Sequence, residues 1–184
     1  MPDTSTAPLS YRQRLAGWNR AVARAQVALA RARLTRDKRK RARIVATARW
    51  AAAHKPKVHY AETRPMPVQA AGTLPHLPLT TDCSGFVTLC YRAAGTPDPN
   101  ASNYNGQGFT GTLLKFGAKV SHPRPADVVV FGGGTGHHAA LVVEGGADPL
   151  IVSHGSEAGP IVLRVSAERR YQPPGVTYLR FPVS

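Results

Sequence analysis

The 184-residue chain has few cysteines, few acidic residues and no long apolar segment, and each shortage excludes a class of protein. Its two cysteines are too few for a disulfide scaffold, so the fold must depend on a hydrophobic core. The longest unbroken apolar run, Ala139–Val143, is far shorter than the roughly 20 residues that span a bilayer. Arginines interrupt every N-terminal stretch where the apolar part of a secretory signal would lie, so we expect no export signal.

The net charge of +14 is concentrated in the first third of the sequence. Residues 1–64 contain 16 lysines and arginines against three acidic residues, whereas residues 65–184 contain eight against seven. Glycine and proline are both absent between Gly17 and Pro56. The composition therefore predicts two parts: a basic, Ala- and Arg-rich helical extension over residues 1–56, and a nearly neutral domain over residues 57–184.

The extension shows a helical pattern with Ser10 as a plausible N-cap. Its apolar residues recur at spacings of three and four for about three heptads. They are Leu15, Trp18, Val22, Ala25, Leu29 and Ala32. Helix-forming residues resume over 42–53, after the charged run 36–41. One helix of about 65 Å and a helical hairpin both fit this pattern, and the short stripe permits a helical dimer.

The remaining sequence predicts an α+β fold. A Pro-rich stretch precedes a short helix over about 83–94, which Gly95 terminates. Five β-type runs follow with short, Gly-rich connections, which predict antiparallel hairpins. The runs are Asp127–Phe131, His138–Glu144, Leu150–His154, Ile161–Val165 and Val176–Phe181. We therefore expect one cysteine-bearing helix packed on a five-stranded antiparallel sheet.

The two cysteines have different sequence contexts. Cys83 lies at the predicted start of the helix, where unpaired amides and the helix dipole would lower its pKa below about 8.5 and make it a nucleophile. Cys90 lies seven residues later on the apolar face, which is typical of a structural residue.

A nucleophilic thiol needs a base, and three histidines are candidates. His137 and His138 begin a predicted strand with side chains on opposite faces, and alternation alone does not choose between them. His154 ends the next strand, where it could orient the imidazole of His138. A zinc site from Cys83, His138 and His154, with Asp82 as fourth ligand, is a weaker alternative because it lacks closely spaced Cys/His pairs. We predict no metal and no cofactor.

One segment reads Asp82-Cys83-Ser84-Gly85-Phe86-Val87, and a second, about 55 residues later, reads His138-Ala139-Ala140-Leu141-Val142-Val143. Together they resemble the NlpC-type cell-wall cysteine peptidases, which are papain-like enzymes. The stretch Pro125–Phe131 also resembles the family, with Ala126-Asp127 in place of the usual Gly-Asp. The resemblance spans roughly residues 60–181 and leaves out the extension.

The resemblance implies a role for each matching residue. Cys83 would be the nucleophile and His138 the general base, oriented by His154 or by the competing Glu157. The backbone amide of Cys83, helped by the hydroxyl of Tyr60, would form an oxyanion hole. Asp82 and Ser84 are further candidates for substrate binding or oxyanion stabilisation.

The implied function is hydrolysis of an amide bond in the peptidoglycan stem peptide, next to D-glutamate. The segment from Ser153 to Glu157 is most similar to versions in actinobacteriophage lysis proteins. We therefore expect synthesis in the cytoplasm and action at the cell wall, after release or from a virion. Residues 10–55 would bind an anionic wall polymer, with nucleic acid a weaker candidate. The alternative is a catalytically silent accessory protein that binds such partners through this helix.

Overall fold

A computed structural model of the protein describes residues 10–67, 69–155 and 158–184. These residues divide into two compact units, one ending at Arg36 and the other running from Asp37 to Ser184. The helices are α1 (Tyr11–Ala53), α2 (Cys83–Ala93), α3 (Thr110–Phe116) and α4 (Val165–Glu168). The strands are β1 (Val58–Tyr60), β2 (Leu79–Thr81), β3 (Ala118–Lys119), β4 (Val128–Phe131), β5 (His138–Glu144), β6 (Leu150–Ser153), β7 (Ile161–Arg164) and β8 (Val176–Arg180).

Helix α1 is one continuous helix and not a hairpin, because it runs without interruption through the charged segment 36–41. Ser10 precedes it as predicted. The Ser10 hydroxyl accepts a hydrogen bond from the amide of Gln13 at 3.3 Å, and the Gln13 side chain accepts one from the amide of Ser10 at 2.8 Å. This reciprocal pair is a capping box, which satisfies backbone donors that have no partner within the helix.

The central element is an antiparallel sheet with the strand order β3–β8–β4–β5–β6–β7. The α+β class and the antiparallel sheet are confirmed, and each of the five predicted β-type runs contains a strand. The sheet has six strands because β3, which pairs with β8, adds two residues at one edge. Two residues are too few for a recognisable alternation pattern. Strands β1 and β2 form a separate parallel pair.

The two faces of the sheet contact different cores. Helix α2 packs on the face that carries Ala139, Leu141 and Val143 of β5, in the larger hydrophobic cluster. The opposite face carries Ala140 and Val142 in a smaller cluster. Because successive residues of a strand point to opposite faces, this division fixes the side on which each residue of β5 lies.

Residues 37–53 of α1 pack as part of the second unit. Ile44 and Ala48 are fully buried in the larger cluster together with Ala51. The predicted division at residue 56 followed charge composition, and it stays a prediction. Packing nevertheless assigns this half of the basic helix to the core of the folded unit, although its sequence is as basic as the rest.

A buried carboxylate joins three segments of the second unit. Asp127, which is fully buried, pairs with Arg41 of α1 at 3.2 Å and with Arg180 of β8 at 2.7 Å. Its other contact is a hydrogen bond from the amide of Arg124 at 2.9 Å. Two arginines and a backbone donor therefore compensate for the loss of water around the carboxylate.

Within the described ranges, no helix combines the length and the apolar character that crossing a membrane would require.

Candidate active site

The side chain of Asp82 fixes the start of α2. Its Oδ1 accepts hydrogen bonds from the amide of Gly85 at 2.6 Å and from the hydroxyl of Ser84 at 3.0 Å. Its Oδ2 pairs with Arg64 at 2.5 Å, and Arg64 also donates to the Ser84 hydroxyl at 3.1 Å. Asp82 and Ser84 thus hold the first turn of the helix and set the position of Cys83.

Gly85 is required by close packing at this turn. A Cβ built on Gly85 would clash with the hydroxyl of Thr81. We expect Gly85→Ala to lower the free energy of unfolding by about 1–3 kcal/mol, because the helix must shift to make room. Gly17→Ala is the matched control: its Cβ would meet nothing within 4 Å in α1, so alanine should stabilise by about 0.5–1 kcal/mol. Urea unfolding measures both, and equal midpoints would contradict the steric argument.

Cys83 is buried at the N-terminus of α2. The pKa of its thiol is raised, whereas the sequence predicted a lowered pKa. Burial raises the pKa of the thiol to about 11, and the charges of Asp82 and Glu62 raise it further. The backbone amides of Ala139 and Ser84 lower the pKa, but by less than burial raises it. Cys83 is therefore a neutral thiol at pH 7 in the unliganded protein. It needs a base that takes its proton during attack.

Because the Cys83 thiol is protonated at pH 7, we expect iodoacetamide to alkylate it slowly near neutral pH. Below a pKa of about 11, the thiolate fraction rises tenfold for each pH unit, so the rate of iodoacetamide labelling should increase by about 10³ between pH 7 and pH 10. Mass spectrometry of the labelled Cys83 peptide measures this rate, and the Cys83→Ala variant gives the background from Cys90. A rate that reaches its plateau below pH 8 would contradict a raised pKa.

His138 lies on the face of the sheet that is turned away from α2. His138 pairs across the sheet with Phe131 and stacks on its ring at 6.0 Å between centroids. Its Nε2 lies 2.8 Å from Ser153 Oγ and 3.6 Å from Glu168 Oε1. These contacts belong to the face of the sheet away from α2, whereas Cys83 packs on the other face. The strand register turns the side chain of His138 to the back of the sheet, and its role as the general base for Cys83 stays a prediction.

His137 is the histidine that shares a cleft with Cys83. It precedes β5, and its backbone amide donates to the carbonyl of Phe131 at 2.8 Å. Its ring Nδ1 lies 3.1 Å from Gln172 Oε1. The sequence pattern had left His137 and His138 as alternatives, and the strand register places His137 at the cleft.

His154 lies on the same face as α2, deep below the cleft. It is fully buried, and its Nε2 lies 3.1 Å from the carbonyl of Thr81 and 3.3 Å from that of His59. Its ring meets the ring of Tyr60 edge-on, with centroids 5.5 Å apart. His154 thus ties β6 to the β1–β2 pair. Glu157, its predicted competitor as orienting residue, lies outside the described residues.

Tyr60 reaches the cleft despite the Pro-rich sequence that separates it from Cys83. Strand β1 pairs in register with β2, so that Tyr60 is opposite Thr81, two residues before the cysteine. The Tyr60 hydroxyl donates to Glu62 at 2.7 Å. Burial, followed by this hydrogen bond, raises the pKa of Tyr60, so the phenol stays protonated and can donate.

The cleft has a volume of about 300 Å³ and carries both signs of charge. Its lining comprises Tyr60, Glu62, Arg64, Asp82, Cys83, Ser84, Phe109, Thr110 and His137. No sequence pattern pointed to Phe109 and Thr110, which come from the α3 segment far from either motif. In the part of the chain that the structure describes, no group of three or more His, Cys, Asp or Glu side chains could hold a metal ion.

The fold and cleft define an α+β protein in which a cysteine at a helix start shares a cleft with a histidine beside an antiparallel sheet. The NlpC/P60 family model matches residues 67–172, which is more than half of the chain. The chain therefore belongs to the NlpC/P60 family. Proteins of this family are generally cysteine peptidases or hydrolases that act on peptidoglycan.

Two solved structures are similar to this chain. A hypothetical invasion protein of Mycobacterium tuberculosis is 13% identical with a TM-score of 0.53, over 80% of this chain and 64% of that chain. An NlpC/P60 family protein from Bacillus cereus ATCC 10987 is 18% identical with a TM-score of 0.42, over 58% of this chain and 33% of that one. The first similarity shows a shared fold, although this chain spans less than two thirds of that protein's length. No curated protein matches the chain.

Proposed function

We propose that the protein is a cysteine endopeptidase that hydrolyses an amide bond of the peptidoglycan stem peptide, with Cys83 as nucleophile and His137 as general base. The observation that carries this proposal is the cleft itself, which Cys83 and His137 both line. His138, the base implied by the resemblance, lies on the opposite face of the sheet.

The proposed reaction begins from a neutral Cys83 thiol. As Sγ attacks the substrate carbonyl carbon, the thiol proton passes to His137 Nε2 and the carbonyl oxygen becomes an oxyanion. The amide of Cys83 is a candidate donor to that oxyanion, and the Tyr60 hydroxyl is another once its single proton turns from Glu62 to the substrate. Protonated His137 then gives its proton to the leaving amine as the C–N bond breaks. Water, deprotonated by His137, attacks the thioester and regenerates the thiol with release of the carboxylic acid.

The raised pKa of Cys83 supports proton transfer during attack over a preformed thiolate–imidazolium pair. A thiol of pKa about 11 is almost fully protonated at pH 7, so the base must remove the proton in the reacting complex. Substrate binding would also expel water from the cleft, which strengthens each hydrogen bond to the developing charge.

The finer substrate and setting are part of the proposal. The resemblance supports a bond next to D-glutamate, often to diaminopimelate, and a role in phage-mediated lysis of the cell wall. The protein would be made in the cytoplasm and would act after release or from a virion. The cleft places Arg64 and Glu62 beside Cys83, so charges of both signs are available to a stem peptide, which carries carboxylates and amines.

Digestion of purified actinobacterial sacculi tests the proposal. We expect the wild-type protein to release peptides whose mass and new amino terminus identify the cleaved bond. The Cys83→Ala variant should release none, whereas an exposed-surface control, Glu144→Gln, should match the wild type because Glu144 lies far along β5 from the cleft. Undiminished release by Cys83→Ala would refute the mechanism.

A second candidate function is binding without catalysis, through residues 10–55. The observation that favours it is the row of exposed arginines over residues 10–36, which could bind anionic wall polymers or nucleic acid. This function predicts that the wild-type protein sediments with sacculi but releases no peptide. Release of peptides by the wild type that is lost in Cys83→Ala would exclude a catalytically silent protein.

A further inference from the structure

We infer that Gln172 is the positioning residue for His137, an inference that rests on the proposed function of Cys83 and His137. Gln172 follows the short 3-10 turn Arg169–Tyr171, and its side-chain Oε1 lies 3.1 Å from Nδ1 of His137. The resemblance had implied His154 for this role. The Nε2 of His154, however, contacts the carbonyls of His59 and Thr81.

The orientation of the Gln172 amide follows from its second partner. Gln172 Nε2 donates to Glu168 Oε1 at 2.6 Å. A carboxylate only accepts hydrogen bonds, so the NH₂ group must face Glu168 and the amide oxygen must face His137. An amide oxygen also only accepts, so Nδ1 of His137 carries the proton. The lone pair of the neutral ring is then on Nε2, the atom that must take the proton of Cys83.

The buried side chain of Glu168 supports the contact between Gln172 and His137. It is buried on the back of the sheet, and its Oε1 lies 3.6 Å from Nε2 of His138, which is 2.8 Å from Ser153 Oγ. The chain of contacts therefore runs from His137 through Gln172 and Glu168 to His138. His138 thus supports His137 through two intervening side chains, Glu168 and Gln172, from the face of the sheet away from α2.

The Gln172→Met variant tests this role, because methionine keeps the length of the side chain and removes both hydrogen bonds. We expect kcat/KM on stem peptide to fall by about 10- to 100-fold with little change in KM. Glu144→Gln is the control: Glu144 is half-exposed at the far end of β5 from the cleft, so the wild-type rate should remain.

Nitrogen NMR of the His137 ring provides a readout that does not depend on turnover. The wild type should show the Nδ1-protonated tautomer, and Gln172→Met should show a mixture. An unchanged tautomer in Gln172→Met, or an unchanged kcat/KM, would overturn the inference while Cys83→Ala remained inactive. Equal inactivity of wild type and Cys83→Ala would instead overturn the proposed function, and the NMR measurement would still decide the hydrogen bond.

A separate observation concerns α1 in the first unit, and from it we propose that residues 11–29 bind an anionic lipid surface. Five large side chains recur at spacings of four, three, four and seven, which places them on one side of the helix. They are Tyr11, Leu15, Trp18, Val22 and Leu29, and all are exposed, by 38% to 71%. Arg20, Arg24 and Arg31 fall on the opposite side at 100° per residue.

The charge of residues 10–36 indicates which class of partner would cover this apolar stripe. Residues 10–36 contain seven arginines, no lysine and no acidic residue. A second copy of the helix would bring like charges together with no carboxylate to pair them, which disfavours a dimer. Nucleic acid or a wall polymer would use the arginines and leave the aliphatic side chains in water. A bilayer with anionic headgroups accommodates both the apolar stripe and the arginines.

Co-sedimentation of the full chain with vesicles tests this surface. We expect binding to vesicles containing phosphatidylglycerol and at least tenfold weaker binding to pure phosphatidylcholine. Leu29→Ala and Leu34→Ala are a matched pair, since both leucines are 70% exposed but Leu34 lies off the stripe. Leu29→Ala should weaken binding several-fold and Leu34→Ala should not.

Three results would overturn the lipid assignment. Equal effects of the two leucine substitutions would show that the stripe is not the contact. Tight binding to DNA or polyphosphate without binding to vesicles would assign the arginines to a polyanion. A stable dimer in light scattering that Leu29→Ala dissociates would assign the stripe to a second copy of the chain.

Discussion

His137→Ala is expected to lower the rate of stem-peptide hydrolysis by about 10²- to 10⁴-fold, while His138→Ala keeps the rate within about tenfold of wild type. Removing the base deprives the neutral Cys83 thiol of its proton acceptor, and that loss is typical of general-base removal. His138 acts only through Glu168 and Gln172, so its loss weakens the support of His137 without removing the acceptor. Initial rates on a purified stem peptide measure both variants.

The free energy of unfolding should rank the same two variants in the opposite order, with His138→Ala the less stable. His137 is exposed, so its alanine variant should unfold within about 0.5 kcal/mol of wild type. His138 is buried, and its loss leaves Glu168 and Ser153 short of a partner, which should cost about 1–3 kcal/mol. Wild-type activity in His137→Ala together with inactive, stable His138→Ala would show that the base had been assigned to the wrong histidine.

Asp127→Ala should destabilise the second unit by about 3–5 kcal/mol, the largest effect on stability that we expect from a single polar residue here. The substitution leaves Arg41 and Arg180 facing each other without the buried carboxylate that pairs with both. Glu144→Ala is the matched control, because its ion pair with Arg49 is about half exposed on both sides and should contribute about 0–1 kcal/mol.

Urea unfolding followed by circular dichroism measures these two variants. If Asp127→Ala does not fold, Asp127→Asn provides the comparison, since its amide oxygen can still accept from Arg180 while the charge is lost. Equal unfolding midpoints for Asp127→Asn and Glu144→Ala would contradict a structural role for the buried carboxylate.

Local chemistry made the elements of the second unit predictable. Gly95 as a stop marked the end of α2, and short Gly-rich connections identified the hairpins. The antiparallel sheet followed from the lengths of those connections. The strand β3 was missed because two residues at a sheet edge have no periodic signature.

The choice between the two adjacent histidines could not be made from the sequence. Both faces of β5 are buried, so the strand reads as a continuous apolar run and alternation gives no face assignment. The face depends on register with β4 and on which side α2 packs, both of which are long-range properties. The family resemblance aligned His138 by its position in the motif and so led to the histidine on the back of the sheet.

The raised pKa of Cys83 was also beyond sequence reasoning. The position at a helix N-terminus was predicted correctly, and that position favours a thiolate. The extent of burial around the sulfur depends on packing against β5, and burial outweighs the helix effect. A local signal was therefore reversed by tertiary structure.

Asp127 also bears on how such a domain can be recombined between proteins. Both of its arginine partners, Arg41 and Arg180, lie outside the segment 67–172 that the family model matches. A gene fusion joined at the edges of that segment would transplant the carboxylate without its counter-ions and without the aliphatic residues of α1 that close the core. The compact unit Asp37–Ser184 thus includes part of the basic helix as a component of its core.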